Sequence, residues 1–141
     1  MLSSQPSSGP LVCHDATQAP PLEALGCALE SLAKLECWSE PTLFRARLIL
    51  EEILQNIFDH ATGKGWVRVW VQTYPHRIEL LIEGPGRGFD PREGPQFNPD
   101  DSLVQRTPGG IGLHLVRELC TVIEFAQLPD THQLHLHLPR D

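Results

Sequence analysis

Hydrophobic positions recur every three or four residues through the first half of the chain. After that they recur every second residue, and one helical stretch returns late. Leu22, Leu25, Leu29, Leu32 and Leu35 share a helical face, and the Pro20-Pro21 pair before them suits a helix's first turn. Ser39 is placed to cap a second helix that has Pro41 in its first turn. Leu50, Ile53, Leu54 and Ile57 form its apolar face, and the pattern runs to about Ala61 before Gly63-Lys64-Gly65 ends it. Over residues 66–74 the period is two, with Val67, Val69 and Val71 on one side. Residues 77–83 repeat it across a short Pro75-His76 link, which predicts a β-hairpin. Residues 84 to about 108 are rich in Gly, Pro, Asp and Asn without any period, predicting a long loop that is functional or mobile. Residues 111–120 are helical again, and residues 121–128 and 133–138 read as two strands around a Pro129-Asp130 turn.

With residues 11–14 as a short first strand, the order is βααββ, loop, αββ. It predicts an α+β fold, a two-layer α/β sandwich with helices on one face of a mixed, mostly antiparallel sheet. Residues 1–10, mostly Ser, Pro and Gly, carry too little apolar surface to order and are expected to form a flexible N-terminal tail. Residues 11–141 remain as one domain, enough for a single hydrophobic core.

Charge and cysteine usage narrow the classes. The 11 basic against 18 acidic residues give a net charge of −7, and no basic run offsets it, which argues against direct nucleic-acid binding. No stretch approaches the roughly 18 apolar residues of a membrane span. The chain's start also lacks the basic-then-apolar layout of a secretory signal. Cys13, Cys27, Cys37 and Cys120 have no C-x-x-C spacing. Reduced thiols in a cytoplasmic protein are therefore expected.

Polar and glycine-rich clusters interrupt the pattern in a fixed order. Glu52, Asn56 and His60 are spaced by four and form a stripe along the border of the second helix's apolar face, where residues line a cleft. Gly86-Arg87-Gly88-Phe89-Asp90-Pro91 follows the second hairpin strand, and its glycines allow close approach of backbone to a ligand. Gly109-Gly110-Ile111-Gly112-Leu113 opens the late helix, where free N–H groups and the helix dipole favour phosphate.

In this order the clusters resemble the N box and two glycine boxes of the histidine-kinase-like ATPase superfamily, the Bergerat ATP-binding fold. Within it the chain, over roughly residues 11–139, is most similar to the stand-alone anti-sigma factor serine/threonine kinases. The resemblance implies ATP and Mg²⁺ as cofactors. It assigns Asn56 to the metal, where an amide oxygen suits a hard cation, and Glu52 to the role of general base toward the attacking hydroxyl. Gly86, Gly88, Phe89, Gly109, Gly110, Ile111, Gly112 and Leu113 would contact the nucleotide. The intervening loop would be an ATP lid, from which Arg106 reaches a phosphate. His60 also matches, in a packing or capping role.

One position departs from the pattern. The family carries an Asp two residues before the first glycine of the first box, accepting a hydrogen bond from the adenine amino group, and Gly84 stands there. Glu83 is the adjacent substitute if the strand end shifts by one residue, a shift that would turn its side chain to the other face. The threonine that accompanies the Asp at the start of the last strand has Thr131 as its nearest match.

The function implied is an ATP- and Mg-dependent serine/threonine protein kinase acting as an anti-sigma, partner-switching factor. Such a protein binds a sigma factor or other regulatory target, phosphorylates an antagonist protein on Ser/Thr, and forms a homodimer. The alternative is a partner-binding module on the same fold with little catalysis and degenerate adenine recognition. No His occurs between Asp15 and Asp59, so neither long helix can supply the phosphoacceptor of a sensor histidine kinase. At the C-terminal end His132, His135 and His137 invite a metal reading, but His135 and His137 alternate with Leu134, Leu136 and Leu138. A half-exposed strand explains that alternation without a metal.

Overall fold

A computed structural model describes residues 12–14, 20–60, 65–93 and 110–141. The expected tail, most of the lid loop, Arg106 and Gly109 lie outside the described residues. The elements in order are β1 (Val12–His14), α1 (Leu22–Leu35), α2 (Glu40–His60), β2 (Val67–Thr73), β3 (Arg77–Pro85), α3 (Gly110–Leu119), β4 (Val122–Gln127) and β5 (Thr131–Pro139). The strands form one sheet in the order β1-β2-β3-β5-β4. Every described pairing is antiparallel, so the parallel component of a mixed sheet is not found among the described residues.

The strand alternation decides which side faces the helices. Val67 and Val69, Ile78, Leu80 and Ile82, and Leu134, Leu136 and Leu138 all point into one core. There they meet Leu25 and Leu29 of α1, Ile49, Leu50, Ile53, Leu54 and Ile57 of α2, and Val116 of α3. Burial of this apolar area is what holds the two layers together.

Local signals explain the helix ends. Ser39 caps α2 as expected, its Oγ accepting the Thr42 N–H at 3.2 Å. At the end of α1, the Trp38 N–H donates to the Ala33 carbonyl at 2.9 Å, and Cys37 between them has φ 55°. This is a Schellman-type stop with a non-glycine residue in the left-handed position. It also corrects one expectation, because Leu35, read as part of the buried face, is 78% exposed where the chain leaves the helix. Arg140 reinforces the stop by donating to the Glu36 and Cys37 carbonyls. Cys27 and Cys37 are exposed free thiols, while burial pushes the Cys120 thiol up to about 12 and leaves it unreactive. No described helix is long and apolar enough to cross a membrane.

Candidate functional site

The N box and the second glycine box, far apart in sequence, meet in space. Gly112 lies in the first turn of α3, and a Cβ there would fall 2.5 Å from the Glu52 carboxyl carbon and closer still to its Oε2. A side chain here would force the Glu52 carboxylate to move. Burial raises the Glu52 pKa, and the neighbouring charge of Glu51 adds to the shift. One helical turn on, Asn56 is 5% exposed and its Nδ2 donates to the Glu52 carbonyl at 2.7 Å. That bond commits the amide NH₂ to the helix backbone and turns Oδ1 to the opposite side as an acceptor. His60 is exposed at the end of α2 and takes no part in this cluster.

The first glycine box is a turn tied down on several sides. Gly86 has φ 66°, a left-handed conformation that favours glycine, and its N–H donates to the Asp130 carbonyl at 2.8 Å. Gln127 accepts the Gly88 N–H at 2.9 Å and donates to the Gly86 carbonyl at 3.0 Å. Arg117 of α3 holds the loop from the other side through the Pro91 carbonyl at 2.9 Å. Asp90 is paired with Arg92 at 2.7 Å, whose hydrogen bond holds the Asp90 carboxyl below its usual range against the opposing effect of burial. Phe89 packs on the edge of the core. An open cleft of about 490 Å³ runs beside this loop, lined by Gly88, Phe89, Asp90, Glu93, Phe125 and Gln127, with Arg87 at its rim. Gly110 and Ile111 begin α3, and Leu113 follows half-buried.

The structure overturns one site assignment. Glu83 pairs in register with Arg68 and Gln133, on the sheet face away from Asn56. Its carboxylate accepts from Arg68 Nη1 at 3.2 Å and Gln133 Nε2 at 3.1 Å. The register has not shifted by a residue, so Glu83 does not replace the absent Asp.

The residue at that place is His132, which the sequence presents only as the first of three C-terminal histidines. His132 is the direct partner of Gly84 across β3 and β5 and is 2% exposed. A Cβ at Gly84 would fall 2.8 Å from His132 Cε1 and 3.0 Å from Nε2, and one at Gly88 would fall 2.8 Å from His132 Cβ. The imidazole thus fills the space that both glycines leave open. Its Nδ1 lies 3.4 Å from the Gly86 carbonyl oxygen, and the tautomer with the proton on Nδ1 makes that contact a hydrogen bond. Burial lowers the His132 pKa, which favours the neutral ring and leaves Nε2 a lone-pair acceptor. That nitrogen is buried without a hydrogen-bond partner. The cost of such an orphan, about 1–3 kcal/mol, was a signal available only once the β3–β5 register was known.

The chain is similar in sequence to known proteins. The family model for the histidine kinase-like ATPase domain matches residues 15–137. The serine/threonine-protein kinase BtrW of Bordetella bronchiseptica is 27% identical over 111 residues, covering 77% of this chain and 78% of the relative. Among solved structures, the histidine kinase domain of a blue-light activated histidine kinase from Erythrobacter litoralis matches with a TM-score of 0.48 and 17% identity. That match covers 85% of this chain and 61% of the other, so the chain spans less than two thirds of that structure's length.

Proposed function

This chain belongs to the histidine kinase-like ATPase family, and on that footing we propose that it is an ATP- and Mg²⁺-dependent serine/threonine protein kinase acting in a regulatory, partner-switching role. The observation that carries the reading is the meeting of α2 and α3, where the Glu52 carboxylate lies against Gly112 one turn from the buried Asn56. The relative named as a serine/threonine-protein kinase supports the same class.

The residues present fit a magnesium-bound nucleotide. Asn56 Oδ1 is the hard oxygen ligand for the metal, its amide nitrogen being engaged by the helix. The first turn of α3 offers backbone N–H groups to phosphate, with Gly112 adding no side chain of its own. When bound, the Mg²⁺–ATP complex supplies the transferable phosphoryl group with part of its charge neutralised. Glu52, with proton affinity raised by burial, takes the proton from the substrate hydroxyl. His132 Nε2 takes the place of the absent carboxylate and accepts a hydrogen bond from the adenine amino group. It offers the same acceptor polarity that an Asp at position 84 would offer. A homodimer, a sigma factor or other regulatory protein as target, and an antagonist phosphorylated on Ser/Thr complete the proposal.

Intrinsic ATP hydrolysis and nucleotide affinity, measured on the same variants, test it. Glu52→Gln is expected to keep ATP affinity while turnover falls by about 10²–10⁴-fold, the usual worth of a general base. Asn56→Ala is expected to remove the magnesium dependence of binding. Unchanged turnover in Glu52→Gln would overturn the catalytic assignment.

A further inference from the structure

The outer face of the sheet, opposite the nucleotide cluster, carries a second convergence of side chains. His135 and His137 lie two apart on β5, and Glu79 of β3 is the direct register partner of His137. Glu79 Oε1 is 3.1 Å from His135 Nε2 and 3.3 Å from His137 Nε2. The three potential ligand atoms all lie within 4.8 Å of one another. The two rings meet edge to face, with centroids 4.8 Å apart.

As a purely hydrogen-bonded cluster this arrangement is incomplete. Two imidazole nitrogens crowd one carboxylate oxygen, and His137 Nε2 is buried without a hydrogen-bond partner. A metal ion resolves the mismatch. Ligands about 2.0–2.2 Å from a tetrahedral zinc stand roughly 3.3–3.6 Å apart, near the two carboxylate–imidazole separations, and the two imidazole nitrogens, within 4.8 Å of each other, would draw together to share the ion. The carboxylate is prepared for that role. Arg77 Nε donates to Oε2 at 2.7 Å, which orients the carboxylate and leaves Oε1 toward the histidines. Glu124, directly opposite His135 on β4, adds negative charge that offsets Arg77.

We propose that Glu79, His135 and His137 form a binding site for a divalent transition-metal ion of the zinc class, with three protein ligands and an open fourth position. Two imidazoles with one carboxylate suit zinc, cobalt or nickel rather than magnesium or calcium, which prefer all-oxygen sites. The bound ion would cross-link β3 to β5 on the face that the helices leave uncovered.

The test uses untagged full-length protein, stripped with chelator and titrated with ZnCl₂ by calorimetry. Co²⁺ absorption serves as a second probe of coordination. One saturable ion per chain is expected, weakened about a hundredfold in Glu79→Gln and in His137→Gln, since each removes one of only three ligands. His137 is partly exposed, so its variant keeps the test valid if Glu79→Gln fails to fold. No saturable binding in the wild type, or equal affinity in wild type and His137→Gln, would overturn the proposal.

Discussion

Replacing Gly88 with Ala adds one methyl group at the place where His132 is rooted. The new carbon would fall 2.8 Å from His132 Cβ and nearer still to Cγ and Cδ2, whereas carbons rest comfortably at about 3.5–4.0 Å. The Gly88 backbone is no obstacle, because Gly86 is the glycine with positive φ in this loop. The conflict also involves Cβ, so rotation of the ring cannot relieve it. Overpacking of this kind costs about 1–3 kcal/mol, and the contact with Cβ, which no ring rotation removes, places Gly88→Ala in the upper half of that range. His132→Ala alone removes ring packing but also relieves an unsatisfied buried nitrogen, at a net cost of about 1–2 kcal/mol. In the double variant the two closest contacts, with Cγ and Cδ2, are gone and only the 2.8 Å contact with Cβ remains, so the combined loss should fall short of the sum by about 1 kcal/mol. Equilibrium urea unfolding, followed by circular dichroism and tryptophan fluorescence, measures all members of the cycle. Additivity within about 0.5 kcal/mol would refute the idea that Gly88 is glycine because of His132.

Other consequences follow from single features. Cys37→Gly relieves a left-handed residue costing roughly 1–2 kcal/mol but loosens the unfolded chain by about 0.4–1 kcal/mol. A net gain of about 0–1.5 kcal/mol in unfolding free energy is expected, and a destabilised variant would contradict the Schellman assignment. Burial holds His132 and His137 below the ordinary histidine value, so below about pH 6.5 the unfolded chain binds more protons than the folded one. Stability is then full above that pH and falls as pH drops through the folded-state values. The fall should be shallower in His132→Gln, and identical profiles for the two proteins would count against it.

The helical and alternating patterns were enough to place the elements, because each strand has one buried face and α1 and α2 carry apolar stripes. Ser39 was legible as a cap for the same local reason. The meeting of Glu52 with Gly112 was implied by the order of the boxes, since their chemistry requires it. The roles of His132, Glu79 and Glu83 depend instead on the β3–β5 register, a non-local pairing that no local pattern fixes. A one-residue difference in that register would have exchanged the faces of Glu83 and Gly84. The histidines of β5 show this most plainly. Alternation separated His135 and His137 from the leucines, but only the register brought Glu79 to them and set His132 against Gly84.

Calorimetric titration with ATP, with and without Mg²⁺ and with GTP as control, tests the central claim most directly. Magnesium-dependent binding of ATP, with GTP weaker by about tenfold or more because guanine carries a carbonyl where adenine carries its amino group and so offers His132 Nε2 no donor there, is the predicted result. Absence of heat with either nucleotide would contradict the account and leave a partner-binding protein built on an ATPase fold.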